Sequence, residues 1–313
     1  MKFRAKTLLA KIEATYNVDP TPTGAEAILT KNLTMNPYAG NVISRDTDRA
    51  SLGNTTQVNT NPYSELTFDV ELAGAKVAGD APGYGPLLRG CGLSETINVG
   101  TDVVYQPVSA GYESVTLYFL RKNNAGTHQL QKVTGSRGSV SLNLSKEGIP
   151  TLSFKYIGFY HKPVDVSEIT ADLSAFASPI PISNSQTTMT YGAYSPIAES
   201  LSIDLAQEVK ARNVINQNEV IVTDRKPSGT TVVQAPDVST KDFFALVESH
   251  NGITTEPLQL IHGTVAGNIV QIDCPAVQLT TISESDSDGE LHYSLGLSLI
   301  PATSDDEFKL TIK

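Results

Sequence analysis

The side chains best suited to chemistry do not fall into the spacings that chemistry needs. Five histidines, His128, His161, His250, His262 and His292, are scattered without an HxH or HExxH spacing, so a metal centre would have to be assembled by the fold alone. Cys91 and Cys274 form no CxxC or Cys/His pattern, so neither a disulfide framework nor a zinc cluster is written here, and two buried thiols are predicted. Gly83-Tyr84-Gly85 lacks the third glycine of a dinucleotide loop. Gly135-Ser136-Arg137-Gly138 lacks the spacing and α/β surroundings of a nucleophile elbow and reads as a hairpin turn. The run from Glu284 through Asp286, Asp288 and Gly289 to Glu290 has the alternate carboxylates of a calcium loop. Its twelfth position is Leu295, however, and a strand pattern follows, so a solvated acidic turn is expected. No enzyme activity, metal or cofactor is expected from these residues.

The elements that would carry any site are mostly strands. With 313 residues, 40% of them hydrophobic and 18% charged, the chain can build one large or two medium cores. Leu66, Phe68, Val70 and Leu72 alternate with Glu65, Thr67, Asp69 and Glu71, which predicts a half-buried strand with an acidic outer face. The same period of two recurs at Val115-Leu117-Phe119, Val140-Leu142-Leu144, Leu152-Phe154-Tyr156, Val270-Ile272-Cys274 and Leu291-Tyr293-Leu295-Leu297-Leu299. Short helices are predicted over 5–15, over 86–92 and, capped by Ser239 or Thr240, over 239–250. The fold class expected is mainly β, a β-sandwich or partial barrel with short flanking helices.

The two halves repeat an order of elements. The strand around Phe68, a short helix at Leu87-Leu88 and strands at Val140 and Phe154 are echoed by the strand around Val222, a helix at Phe243-Phe244 and strands at Ile272 and Tyr293. A long polar segment precedes each copy, 41–61 and 205–218. The organisation expected is an arm over 1–36, a first β domain over 37–162, a Pro-rich linker or insertion over 163–196 and a second β domain over 197–313. Charge divides along the same line: residues 1–162 hold 16 basic and 13 acidic side chains, whereas 163–313 hold 7 and 20. A net charge of −10 lacks the basic footprint of a nucleic-acid binder. The apolar run after Lys2, Arg4 and Lys6 is too short for a signal peptide, and no stretch is long enough for a membrane span, so a soluble protein of the reducing cytoplasm is expected.

Three segments carry a resemblance. Residues 6–16, followed by Asp19-Pro20-Thr21-Pro22-Thr23-Gly24-Ala25, then Asn41-Val42-Ile43-Ser44-Arg45-Asp46 leading to Arg49-Ala50-Ser51-Leu52-Gly53, then Gly85-Pro86-Leu87-Leu88-Arg89-Gly90-Cys91-Gly92-Leu93, together resemble the tail tube (major tail) proteins of long-tailed, non-contractile bacteriophages. The resemblance implies a β domain whose inner sheet joins those of its neighbours into a ring. Rings stack head to tail into a virion tail tube, assembled in the host cytoplasm, through which DNA passes. Other partners implied are the tail terminator, distal tail and tape measure proteins, with no membrane. Some members close six single-domain copies, others three duplicated ones; this chain looks like the duplicated type, with trimeric rings of pseudo-sixfold symmetry.

On that basis Asp69, Glu71 and Glu290 are the candidates for lumen-facing carboxylates, which would repel the phosphates of passing DNA. Arg45, Asp46, Asp48 and Arg49 in the first polar segment, with Lys210 and Arg212 in the second, are the candidates for contacts between subunits or rings. The contrasting reading is a β-sandwich carbohydrate-binding or adhesin module. The absence of Trp and the dispersal of Tyr leave such a module no evident stacking platform. A secreted hydrolase is disfavoured by the missing nucleophile and signal peptide.

Overall fold

A computed structural model describes residues 3–124, 126–250 and 252–313. The chain is mainly β, with 52% of the described residues in strands and 5% in helix. The first half holds β1 (Lys6–Ile12), β2 (Ala27–Ile28), β3 (Lys31–Ala39), β4 (Val42–Ser44), β5 (Gln57–Asn59) and β6 (Tyr63–Glu71). After α1 (Gly85–Gly90) come β7 (Leu93–Asn98), β8 (Asp102–Pro107), β9 (Val115–Lys122), β10 (His128–Ser145), β11 (Thr151–Tyr160) and β12 (Val164–Val166). The second half holds β13 (Thr187–Tyr191), β14 (Ala198–Asp204), β15 (Gln207–Val214), β16 (Gln217–Arg225) and β17 (Ser228–Gln234). It ends with α2 (Phe243–Val247), β18 (Glu256–His262), β19 (Val270–Ser287), β20 (Glu290–Ile300) and β21 (Lys309–Ile312).

Two helix expectations need correction. Residues expected to be helical over 5–15 form strand β1. Leu8 and Ala10 face the main core, while Leu9 faces a second small cluster with Ala27, Tyr118, Leu120 and Leu130. A strand covered on both faces gives a short continuous apolar run, which periodicity cannot separate from a buried helix. The second helix is shorter than expected and starts later: Asp242, not Ser239 or Thr240, caps it by accepting from Ala245 N at 2.9 Å. The helix at α1 lies where the sequence places it, with Pro86 in its first turn.

Eight strands make one continuous antiparallel sheet in the order β3, β6, β11, β10, β14, β17, β20, β19. Strands β10 and β19 are each 18 residues long and serve two layers. Their C-terminal halves lie in the eight-stranded sheet. Their N-terminal halves enter an overlying layer, β10 between β9 and β12, with β1 and β2 beyond β9. In the same way β19 runs between β18 and β21, flanked by β13 on one side and by β8 and β7 on the other. The core lies between the layers. Among the described residues the strand pairings branch but do not return on themselves, so no barrel closes there.

A bulge lets β10 change layers. Relative to β9 the strand carries an extra residue between Val133 and Ser136, and Gly135 takes the left-handed region with φ 57°. A Cβ there would come within 2.8 Å of the Phe159 ring. The buried carboxylate of Glu13 holds the bulge, accepting from Gly135 N at 2.7 Å, Asn17 N at 2.7 Å, and the Ser114 and Thr116 hydroxyls at 2.6 Å each.

The same set of pairings is traversed twice. Strand β6 joins β3 to β11 as β17 joins β14 to β20, and a hairpin, β4–β5 or β15–β16, is inserted at the same point of each half. The counterpart of the Phe68 strand is therefore β17. Val222, matched to it from the sequence, belongs instead to the inserted hairpin, where it pairs with Val209.

Candidate assembly surface

The strand pair β10–β14 fuses the halves of the sheet. Leu142 stands opposite Ile203 and Leu144 opposite Leu201, all four buried toward the core. The alternating pairs Ser141–Asp204, Asn143–Ser202 and Ser145–Ser200 point to the other face. Period two fixes this division: once Leu, Ile, Phe and Tyr are drawn inward, every intervening side chain must face out. Those intervening positions are mostly hydroxyls, such as Ser139, Ser153, Thr230, Ser294 and Ser298.

Asp69 and Glu71 lie on that polar face but are not bare charges. Asp69 accepts from Asn32 Nδ2 at 2.8 Å, and Glu71 is paired with Lys31. Glu290 begins β20 on the same face, at the far side of the sheet, 3.4 Å from Gln234 Nε2. By strand pairing the counterparts of Asp69 and Glu71 in the second half are Val232 and Gln234, so Glu290 is not their equivalent. Sequence reading missed Lys31, Lys155 and Asp204 on this face. It also missed the prevalence of Ser and Thr at every second position, the signal that could have marked it.

The hairpin candidates separate into two places. Arg45, Asp46, Asp48 and Arg49 occupy an exposed loop between β4 and β5. Asp46 accepts from Ser44 at 2.7 Å and Thr55 at 3.1 Å, which holds its carboxyl below the usual range. Arg49 donates to Asn54 O at 2.8 Å. Lys210 and Arg212 lie on β15, where they pair with Glu208 at 2.9 Å and Glu219 at 3.4 Å. The tip half of β15–β16 meets the base of β4–β5: Asn61 Nδ2 donates to Ala211 O and Asn213 Nδ2 to Thr60 O, each at 3.0 Å.

Both outer margins of the sheet are open. Strand β3 pairs only with β6, and the C-terminal half of β19 only with β20, among the described residues. No group of three or more His, Cys, Asp or Glu is placed to hold a metal among the described residues, and no helix is long and apolar enough to cross a membrane. Burial pushes both thiols, Cys91 and Cys274, up to about 12.

An open sheet with one hydroxyl-rich face and two unpaired edges has the form of a wall segment rather than a cleft. Residues 4–298 match the model of the phage tail tube protein family, and the chain belongs to that family. No curated protein matches the chain. Family membership gives it a structural role in the tail tube of a phage virion.

Proposed function

We propose that the chain is a self-assembling wall unit: copies join edge to edge into rings, and the rings stack head to tail into a hollow tube that conducts DNA. The observation that carries this reading is the continuous sheet β3-β6-β11-β10-β14-β17-β20-β19 with both margins unpaired. An exposed strand edge invites pairing with another chain, and closure of a ring removes the hazard. A single copy closing on itself would make an eight-stranded barrel filled by its own side chains. Three copies would contribute about 24 strands; at a spacing of about 4.8 Å and a tilt of about 40°, they enclose a barrel roughly 48 Å across. That bore admits a nucleic acid duplex.

In this reading the chain is two tandem tube-like units, 37–162 and 197–313, and the ring is a trimer with pseudo-sixfold symmetry. The twice-traversed pairing scheme supports the duplication. The hydroxyl face lines the bore, with Glu65, Asp69, Glu71, Asp204 and Glu290 outnumbering Lys31 and Lys155, so the moving polyanion meets hydrogen-bonding groups and a weak negative field. The hairpins β4–β5 and β15–β16 reach toward the adjacent ring. Assembly would take place in the host cytoplasm, with terminator, distal tail and tape measure proteins at the ends and within the bore.

Negative-stain microscopy of the purified protein at high concentration tests the reading, together with native mass measurement of detached rings. Rings or tubes built of three chains support it. A protein that stays monomeric at all concentrations contradicts it.

A further inference from the structure

The seam inside the chain can be compared residue by residue with the two open margins of the sheet. Transverse rows of paired residues place the halves in register. Met35, Leu66, Tyr156 and Gly138 form one row, and Ile203, Gly229, Leu297 and Leu279 form its counterpart. The bulges agree: β10 has its extra residue between Val133 and Ser136, and β19 has its own between Cys274 and Val277. A further extra residue in β19 lies between Leu279 and Thr281. Past that point Ser141, Leu142 and Leu144 correspond to Ser283, Glu284 and Asp286, while Asp204, Ile203 and Leu201 correspond to Asn36, Met35 and Leu33.

The layer above each seam differs in chemistry. In the second half Thr187 on β13 pairs with His262 on β18, and their counterparts in the first half are Lys6 on β1 and Arg121 on β9. Thr187 lines a cavity of about 640 Å³ together with Leu144 and Leu201, so this position looks directly onto the internal seam. At the open margin Lys6 Nζ donates to Leu33 O. Neither Lys6 nor Arg121 has a carboxylate partner within ion-pair distance among the described residues, and burial together with Arg121 depresses the Lys6 pKa. At the opposite margin Glu284 and Asp286, also without ion pairs among the described residues, stand where the internal seam has Leu142 and Leu144.

We propose that neighbouring copies of this chain join through an antiparallel β19–β3 seam in the register of the internal β10–β14 seam, and that Glu284 and Asp286 of one copy lock onto Lys6 and Arg121 of the next. The inference rests on the self-assembly reading and deepens it. Ser283 then stands opposite Asn36, Glu284 opposite Met35 and Ser285 opposite Thr34. The register suits the chain's own punctuation: pairing stops at Pro37, which has no N–H to donate, and at the Asp288-Gly289 turn. The seam within the chain is thus apolar and permanent, whereas the seam between chains is ionic, specific for partner and orientation, and formed after folding.

Two sets of variants test this. Asn36→Cys with Ser283→Cys, both in one chain, should give rings covalently closed on oxidation, while Asn36→Cys with Thr281→Cys, two residues out of register, should not. Glu284→Lys with Asp286→Lys should reduce ring formation at least tenfold, and adding Lys6→Glu with Arg121→Glu should restore it. Cross-linking of the Thr281 pair instead of the Ser283 pair, or full ring yield from the protein carrying Glu284→Lys and Asp286→Lys alone, would overturn the inference while leaving tube formation standing. Loss of assembly without rescue, alongside cross-linking of the Ser283 pair, would overturn the ionic lock and keep the register. Failure of the unaltered protein to form rings at all would instead remove the self-assembly reading beneath it.

Discussion

Leu144 of β10 lies directly opposite Leu201 of β14, and this buried pair sits in the strand contact that turns two half-sheets into one. Burial of these side chains, with Leu142 and Ile203 beside them, is what makes the junction part of the folded monomer. Leu144→Ala is expected to lower the stability of the unassembled chain by about 2–5 kcal/mol, since the lost contacts adjoin an existing cavity that the surroundings cannot collapse to fill. Asp286→Ala, its counterpart at the open margin, is expected to change it by less than about 0.5 kcal/mol. Urea unfolding of the two variants under monomeric conditions measures the contrast.

Glu13 is expected to be among the most sensitive polar residues in the chain. Removing its carboxylate in Glu13→Ala strips partners from Gly135 N and from the Ser114 and Thr116 hydroxyls, which are buried. The expected loss is about 3 kcal/mol or more, because unsatisfied buried donors carry the full desolvation cost. Thermal unfolding should show Glu13→Gln, which keeps one acceptor oxygen, at an intermediate midpoint.

Gly135→Ala probes the same bulge from the backbone side. The left-handed φ and the nearby Phe159 ring both oppose a Cβ, and a loss of about 1–3 kcal/mol is expected. Unfolding midpoints close to those of the unaltered protein would show that the layer change of β10 does not depend on this conformation.

Acid should weaken the fold partly through His262. Burial depresses its pKa below 6.5, and the ring is engaged with Ile180 O at 3.0 Å and Thr187 Oγ1 at 2.8 Å. A depressed folded pKa means that the unfolded chain takes up the proton first. Stability is therefore present above about pH 6.5 and declines as pH falls toward the lower folded value. His262→Gln should flatten the pH dependence of the unfolding midpoint between about pH 7 and pH 5. An unchanged slope would assign that dependence to other groups, such as His161, whose pKa burial and Lys132 also lower.

The exposed loop between β4 and β5 offers a separation of folding from stacking. Arg45→Ala with Arg49→Ala touches no buried contact, so monomer stability should stay within about 0.5 kcal/mol of the original. Tubes should become short or absent, as counted by microscopy at matched concentration. Normal tubes would refute a role for these side chains between rings.

The legibility of this fold in its sequence followed the physics of each element. Alternation exposed β6, β11 and β20 because one face of each is buried and the other is not. It failed at β1, where Leu8 and Leu9 are both buried, against different clusters. The repeat was visible as an order of elements, but matching Val222 to Phe68 erred because an inserted hairpin displaced the true counterpart strand, and only pairing reveals such an insertion. Asp69 and Glu71 could be placed on the outward face by parity alone. That Lys31 and Asn32 meet them could not, since β3 and β6 are brought together by long-range pairing. Lys6 and Arg121 gave no local signal, because what distinguishes them is their comparison with Thr187 and His262 across the repeat.

The most direct measurement is a helical reconstruction of assembled tubes by electron cryomicroscopy at side-chain detail. The expected result is three chains per ring around one unbroken barrel, with the hydroxyl face inward and β19 of each chain paired to β3 of the next. A wall in which β3 and the C-terminal half of β19 remain unpaired, or in which the hydroxyl face points outward, would contradict it.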